Sequence, residues 1–144
     1  MKVYVDSSVV LRWLLQQPGA IQNWGGWELA VTSELTRVET RRSLDRFRLQ
    51  GKLSGEDAAR TLVSFRLATE GFKQIRIQPA ILERAASPLS TVLGTLDAIH
   101  LATALAWIEE SGDTLTFLTH DRELAIAATA CELDVLPRPA FLSG

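Results

Sequence analysis

Met1-Lys2-Val3-Tyr4-Val5-Asp6-Ser7-Ser8-Val9-Val10-Leu11-Arg12-Trp13-Leu14 is the stretch from which the architecture can be read. Val3-Tyr4-Val5 is too short an apolar run for a helix and has no polar alternation, so it reads as a strand buried on both faces. The run ends at a carboxylate, Asp6. Ser7 or Ser8 then suits a helix cap, and Val9, Val10, Trp13 and Leu14 recur at helical spacing before the stop at Pro18-Gly19.

The same alternation repeats downstream. Leu29-Ala30-Val31-Thr32 is a second strand, after which Ser33 caps a helix to about Leu49, ended by Gly51. Ser54-Gly55-Glu56-Asp57 is a capping box that opens a helix to about Glu70. Gln74-Ile75-Arg76-Ile77 is a third strand, and Pro79 begins a short helix that breaks at Ser87-Pro88 before a loop around Gly94. From Thr95 to Glu110 Ala, Leu and Ile occupy almost every side, which predicts a buried helix. Leu115-Thr116-Phe117-Leu118 is a fourth strand, Asp121 opens a last helix to about Cys131, and Val135-Leu136 adds a small edge strand. Residues 21–27, with two tryptophans and two glycines, read as loop. The pattern predicts a single α/β domain over residues 1–144 with a mostly parallel sheet of four to five strands.

Composition narrows the function. In 144 residues, 47% apolar and 22% charged is the balance of an ordinary globular protein, and the one cysteine, Cys131, excludes an internal disulfide framework. Fifteen Lys and Arg against seventeen Asp and Glu exclude a uniformly basic nucleic-acid coat but not a local basic patch. The longest stretch free of charged residues, Trp13 to Trp27, carries Gln, Asn, Pro and Gly, so no membrane span is expected. The expected location is the cytoplasm.

Four acids stand where an α/β fold can use them. Asp6 and Asp121 follow strands, beyond whose carboxyl ends such folds bind ligands. Glu39 and Asp97 lie on helices among apolar residues. By helical angle Glu39 shares an arc with Leu35, Val38, Leu49, Arg42 and Arg46, and a carboxylate inside a core stripe needs a cation: Arg42, or a metal. Asp97 shares its face with Leu101, Ala104 and Ile108, with no basic residue within a turn except His100. Singly, each has an ordinary explanation: Asp6 and Asp97 as anions at helix N-termini, Asp121 as an N-cap, Glu39 as the partner of Arg42. Together, four converging carboxylates repel one another unless a hard divalent cation holds them, and oxygen ligands favour Mg²⁺ or Mn²⁺. Such a site activates a water for in-line attack on a phosphodiester. Two histidines and one cysteine offer no spaced zinc set.

Four blocks, Val3-Tyr4-Val5-Asp6-Ser7-Ser8, Ser33-Glu34-Leu35-Thr36-Arg37-Val38-Glu39, Leu96-Asp97-Ala98-Ile99-His100-Leu101-Ala102-Thr103-Ala104 and Leu118-Thr119-His120-Asp121-Arg122-Glu123-Leu124, resemble the PIN domain, and more narrowly the VapC-type toxins of toxin–antitoxin pairs. The resemblance implies a three-layer fold with helices on both faces of the sheet and a Mg²⁺- or Mn²⁺-dependent endoribonuclease leaving 5′-phosphate and 3′-hydroxyl ends. It implies Asp6, Glu39, Asp97 and Asp121 as the metal-binding and catalytic set, with Ser7, Ser8 and Thr119 supporting them. It also implies a homodimer silenced by a cognate antitoxin protein.

Between Arg37 and Lys52 six cations face two acids. Arg37, Arg41, Arg42 and Arg46 are therefore candidates to track RNA phosphates toward the acids, against the alternative of a solvated face with local ion pairs. Trp13 and Trp107 are expected in the core. Trp24 and Trp27 read as packing under a loop, with base stacking the alternative. His100 is expected to be an interior histidine bonded to structure. Three competing classes were weighed. An aspartate-nucleophile phosphatase needs a second Asp where Ser8 stands, and a phospho-receiver needs a late lysine, whereas Lys73 is the last. A non-catalytic PIN-like RNA- or protein-binding module would be expected to have lost at least one acid.

Overall fold

The computed structural model describes residues 1–89 and 91–144. Its elements are β1 (Lys2–Val5), α1 (Ser7–Leu14), β2 (Leu29–Ser33), α2 (Leu35–Leu49), α3 (Gly55–Ala68), β3 (Lys73–Ile75), α4 (Pro79–Ala86), α5 (Thr95–Ser111), β4 (Thr116–Leu118), α6 (Arg122–Ala130) and β5 (Asp134–Leu136), closed by a 3-10 turn at Ala140–Leu142. The five strands are all parallel, in the order β3-β2-β1-β4-β5. The chain builds outward from β1 to one side and then crosses to build β4 and β5 on the other. The switch point thus lies between β1 and β4, where crevices open at the strands' carboxyl ends.

The period-two geometry of the strands divides the core. Tyr4 lies in register with Val31 and Phe117, and these pack against Leu101 and Ala104 of α5 and Leu124 and Ala128 of α6. Val3, Val5, Ala30 and Leu118 face the other way, onto Val9 and Val10 of α1 and Phe65 of α3. Helices cover both faces, in three layers. The edge strand expected at Val135-Leu136 is the fifth member of the sheet, in register with β4.

α5 is buried continuously from Ala98 to Ala104 because it is wedged between the sheet and α4, with Ile99 and Ala102 packing on Ile81. Gly112 ends it at φ 73, a backbone conformation that favours glycine. Ser54 caps α3 by accepting from the Asp57 amide at 3.0 Å.

Some local expectations change. β3 begins at Lys73 and ends at Ile75, earlier than the apolar pattern suggested. The apolar arc expected on α2 is not its buried face: Val38 is 53% and Leu49 72% exposed, while Thr36, Thr40 and Leu44 are buried. Hydroxyl chemistry turns the helix this way. Thr32 donates to the Val5 carbonyl at 2.7 Å and so accepts from Thr36 at 2.7 Å, docking the threonine face of α2 onto the sheet. Ser33 ends β2 and still acts as a local cap, accepting from the Leu35 amide at 3.1 Å. The break at Ser87-Pro88 ends α4; Ser90 lies outside the described residues. Among the described residues no helix is long and apolar enough to cross a membrane.

Candidate active site

The carboxyl ends of β1 and β4 are strapped together by side chains. Asp6, 3% exposed, follows β1 and caps α1. Its Oδ2 accepts from the Ser8 hydroxyl at 2.6 Å and from the Thr119 hydroxyl at 3.0 Å. Those hydroxyls in turn accept from backbone amides, Ser8 from His120 at 2.9 Å and Thr119 from Asp121 at 3.0 Å. Asp121 caps α6, its Oδ1 accepting from the Leu124 amide at 2.8 Å. The capping explanation therefore holds for both acids, and in each it occupies one carboxylate oxygen. Ser7 is buried beside them with its hydroxyl 3.5 Å from Asp6 Oδ1, at the limit of a hydrogen bond.

Glu39 meets a side chain other than Arg42. Arg42 makes no ion pair with it; Glu39 Oε1 lies 2.5 Å from Nε2 of His100, a fully buried residue of α5. On the other side of that ring, Nδ1 lies 2.8 Å from the Tyr4 hydroxyl. The imidazole thus joins the centre of the sheet to α2, and Nε2 is also 3.6 Å from Asp6 Oδ1. Burial opposes the charged ring, but the bond from Glu39 and the charges of Asp6, Glu39 and Asp97 prevail and hold its pKa above the usual histidine value. Tyr4 is pushed well above the usual tyrosine range by burial, reinforced by Asp6 and Glu39, and stays protonated. The link spans 61 residues of sequence, and no helical periodicity signals it.

Asp97 stands apart. It sits in the first turn of α5, half-buried, and among the described residues no donor bonds to it and no cation pairs with it. Burial, then the negative charges of Asp121 and Asp6, raises its pKa to about 6; Glu39 adds to this, and His100 opposes it. The other three predicted acids therefore all act electrostatically on Asp97.

The donor set is oxygen-rich, and Asp121 and Glu39 each engage the protein through one oxygen only. Among the described residues, no three His, Cys, Asp or Glu side chains close into a ready ligand cage.

Arg37, Arg41, Arg42 and Arg46 are exposed along α2, and none pairs with a carboxylate among the described residues; Arg48 pairs with Asp45 at 2.8 Å. Arg41, Arg42 and Arg46 border a cleft of about 690 Å³ between α2 and α3, and Arg37 and Arg41, with Arg66, a second of about 430 Å³. Trp24 and Trp27 are packing residues. Trp24 stacks on Trp13 at 4.5 Å and on Phe72 at 5.9 Å, meets Trp27 edge-on, and donates from its indole to the Ala68 carbonyl at 3.2 Å. Trp13 belongs to this half-buried cluster rather than to the deep core. Trp107 is also only partly buried, at the core's margin, with Lys73 Nζ 4.8 Å from its ring centre.

The family model for the PIN domain matches residues 3–130. The chain belongs to the PIN-domain family. Members of this family are generally nucleases and typically use divalent metals. Solved structures agree on the fold. PAE2754 from Pyrobaculum aerophilum is 22% identical, with a TM-score of 0.61 over 94% of this chain and 83% of its own. A toxin–antitoxin complex from Klebsiella pneumoniae gives 21% and 0.61 over 85% of this chain and 88% of that one. FitAcB from Neisseria gonorrhoeae gives 16% and 0.60 over 92% and 95%. A search of curated protein sequences finds no match.

Proposed function

We propose that this PIN domain is a Mg²⁺- or Mn²⁺-dependent endoribonuclease of the VapC type, the toxin of a toxin–antitoxin pair. The observation that carries the reading is Asp97, a half-buried carboxylate with no donor among the described residues, on which the charges of Asp121, Asp6 and Glu39 act. A fold retains such an uncompensated charge at a cost, and a cation supplied from solution removes that cost.

Asp6, Asp97 and Asp121 would hold the ion, with Glu39 beside them. When bound, the ion supplies Lewis acidity and neutralises charge that develops on the phosphodiester. The chain's own residues do the rest. Ser8 and Thr119 fix the rotamer of Asp6 and leave its other oxygen for the site. His100 holds Glu39 through Oε1. Arg37, Arg41, Arg42 and Arg46 attract and align the RNA backbone, with arginine suited to bidentate phosphate contacts. In this reading the protein works in the cytoplasm as a homodimer, restrained by an antitoxin. The toxin–antitoxin complex among its structural neighbours supports the partner.

A non-catalytic binding module has one observation in its favour, the absence of a closed ligand cage among the described residues. One experiment separates the two. Wild type and Asp97→Asn are induced separately in a bacterial host, growth is followed, and 5′-phosphorylated RNA ends are sequenced. The nuclease reading expects arrest and a few sharp new ends in wild type only. Arrest by both proteins without new ends contradicts it and favours the module.

A further inference from the structure

An RNA whose phosphate reaches Asp6 and Asp121 must lay its neighbouring nucleotides in depressions on either side. On α2 the exposed arginines border clefts whose walls suit a sugar–phosphate backbone. Toward β5 the surface changes character. A cavity of about 280 Å³ shares Thr119 and Asp121 with the carboxylate site and is walled on its far side by Pro137, Pro139 and Phe141. Its volume falls just short of the roughly 300–1,000 Å³ of pockets for drug-sized ligands, so it suits one ring system.

Phe141 is the informative wall. It is 42% exposed and, among the described residues, stacks on no other aromatic ring, unlike Trp13, Trp24 and Trp27, which are spent on one another and on Phe72. The turn that carries it is fixed by bonds from the Leu142 amide to the Pro139 carbonyl at 3.0 Å, from the Ser143 amide to Ala140 at 3.0 Å, and from Arg138 to the Leu142 carbonyl at 3.2 Å. Its ring is therefore presented on an ordered backbone, which lowers the entropic cost of stacking. Arg122, which also lines the cavity, is 75% exposed and pairs with Glu123 at 3.6 Å. An exposed ring, rigid proline walls and an exposed guanidinium beside the proposed phosphodiester site make up what single-stranded RNA recognition requires: a surface for an unstacked base and a cation for its phosphate.

We propose that this cavity receives the nucleobase of a nucleotide adjoining the cleaved phosphate, with Phe141 as its stacking platform and Arg122 on the flanking phosphate. The proposal rests on the nuclease reading and deepens it: the arginines of α2 supply affinity independent of sequence, and the Phe141 cavity supplies base preference.

The test uses the full chain carrying Asp97→Asn, so that RNA is bound without being cut. Fluorescein-labelled RNA hexamers of each base, and hexamers with a central abasic site, are titrated in Mg²⁺ against this protein and against versions that also carry Phe141→Ala or Phe141→Trp. At least one hexamer should bind about tenfold more weakly to Phe141→Ala and recover with Phe141→Trp, while the abasic hexamers should not distinguish the proteins. Equal binding of every hexamer by Phe141→Ala and its parent, still weakened by salt, overturns the base pocket and leaves a nuclease that grips backbone alone. Phe141→Ala releasing a co-purified protein without changing hexamer affinity also overturns it, making the cavity a protein seat. Failure of every hexamer to bind at low salt, with or without Mg²⁺, removes the nuclease reading together with the proposal, since backbone binding by the α2 arginines needs no metal.

Discussion

The two halves of the carboxylate site are built on opposite plans. At the strand ends, Asp6 and Asp121 are satisfied by hydroxyls and amides, and Ser8 and Thr119 tie β1 to β4. On the helices, Glu39 depends on one distant histidine and Asp97 on nothing in the described chain. The strand half is organised by the fold itself. The helix half carries unbalanced charge, which a cation would relieve. One pair of acids is thus tied into the fold and the other is not, and substitutions should separate the two.

The sharpest separation should come from His100→Gln. Loss of the imidazole leaves Glu39 unheld, and removing a group that orients a ligand typically lowers metal affinity or activity by about 10–100-fold. Mn²⁺ titration by electron paramagnetic resonance measures this. Unchanged affinity in a folded variant would leave Glu39 outside the metal site.

Thr119→Val tests the strand half. It removes a donor from buried Asp6 and an acceptor from the Asp121 amide, so it should cost about 1–3 kcal/mol in urea unfolding, with or without metal. A loss confined to metal-loaded protein would show that the strap depends on the ion.

The smallest of these effects is in pH. The Asp97 carboxyl is raised from 3.8 to about 6 on folding, so the folded state binds the extra proton between those values. Its contribution to stability is full below pH 3.8 and is lost as pH rises through 6. The shift corresponds to at most about 3 kcal/mol, and solvent screening of a half-exposed group reduces this to about 1 kcal/mol. In chelator, Asp97→Asn should therefore be more stable than wild type at pH 8, with the gap closing toward pH 5. A gap independent of pH would mean that Asp97 is not the strained charge. His100, raised above 6.5, acts in the same direction: its contribution is full below 6.5 and is lost as pH rises through its folded value.

Much of this fold could be read in short range. Val3-Tyr4-Val5, residues 29–32 and residues 115–118 are predominantly apolar because their strands are covered on both faces, and α5 is apolar on almost every side because sheet and α4 enclose it. The positions of Asp6 and Asp121 follow from strand ends alone. What escaped depended on contacts remote in sequence. Helical angle pointed Glu39 to Arg42, but its partner is His100 on another helix. Apolar counting chose the wrong face of α2, because Thr32 and Thr36 dock it through hydroxyls. Phe141, beyond the last strand, carried no periodic signal, and only the return of the chain beside Asp121 gives it meaning.

The central claim is that the four acids share a divalent cation and that Asp97 is the one left waiting for it. Calorimetric Mn²⁺ titration of wild type and Asp97→Asn at pH 7.5, with melting temperature followed in the same samples, tests it most directly. The account predicts saturable binding that raises the melting temperature of wild type, and a collapse of both in Asp97→Asn, whose metal-free form melts a few degrees above metal-free wild type. Equal Mn²⁺ binding by the two proteins would contradict it.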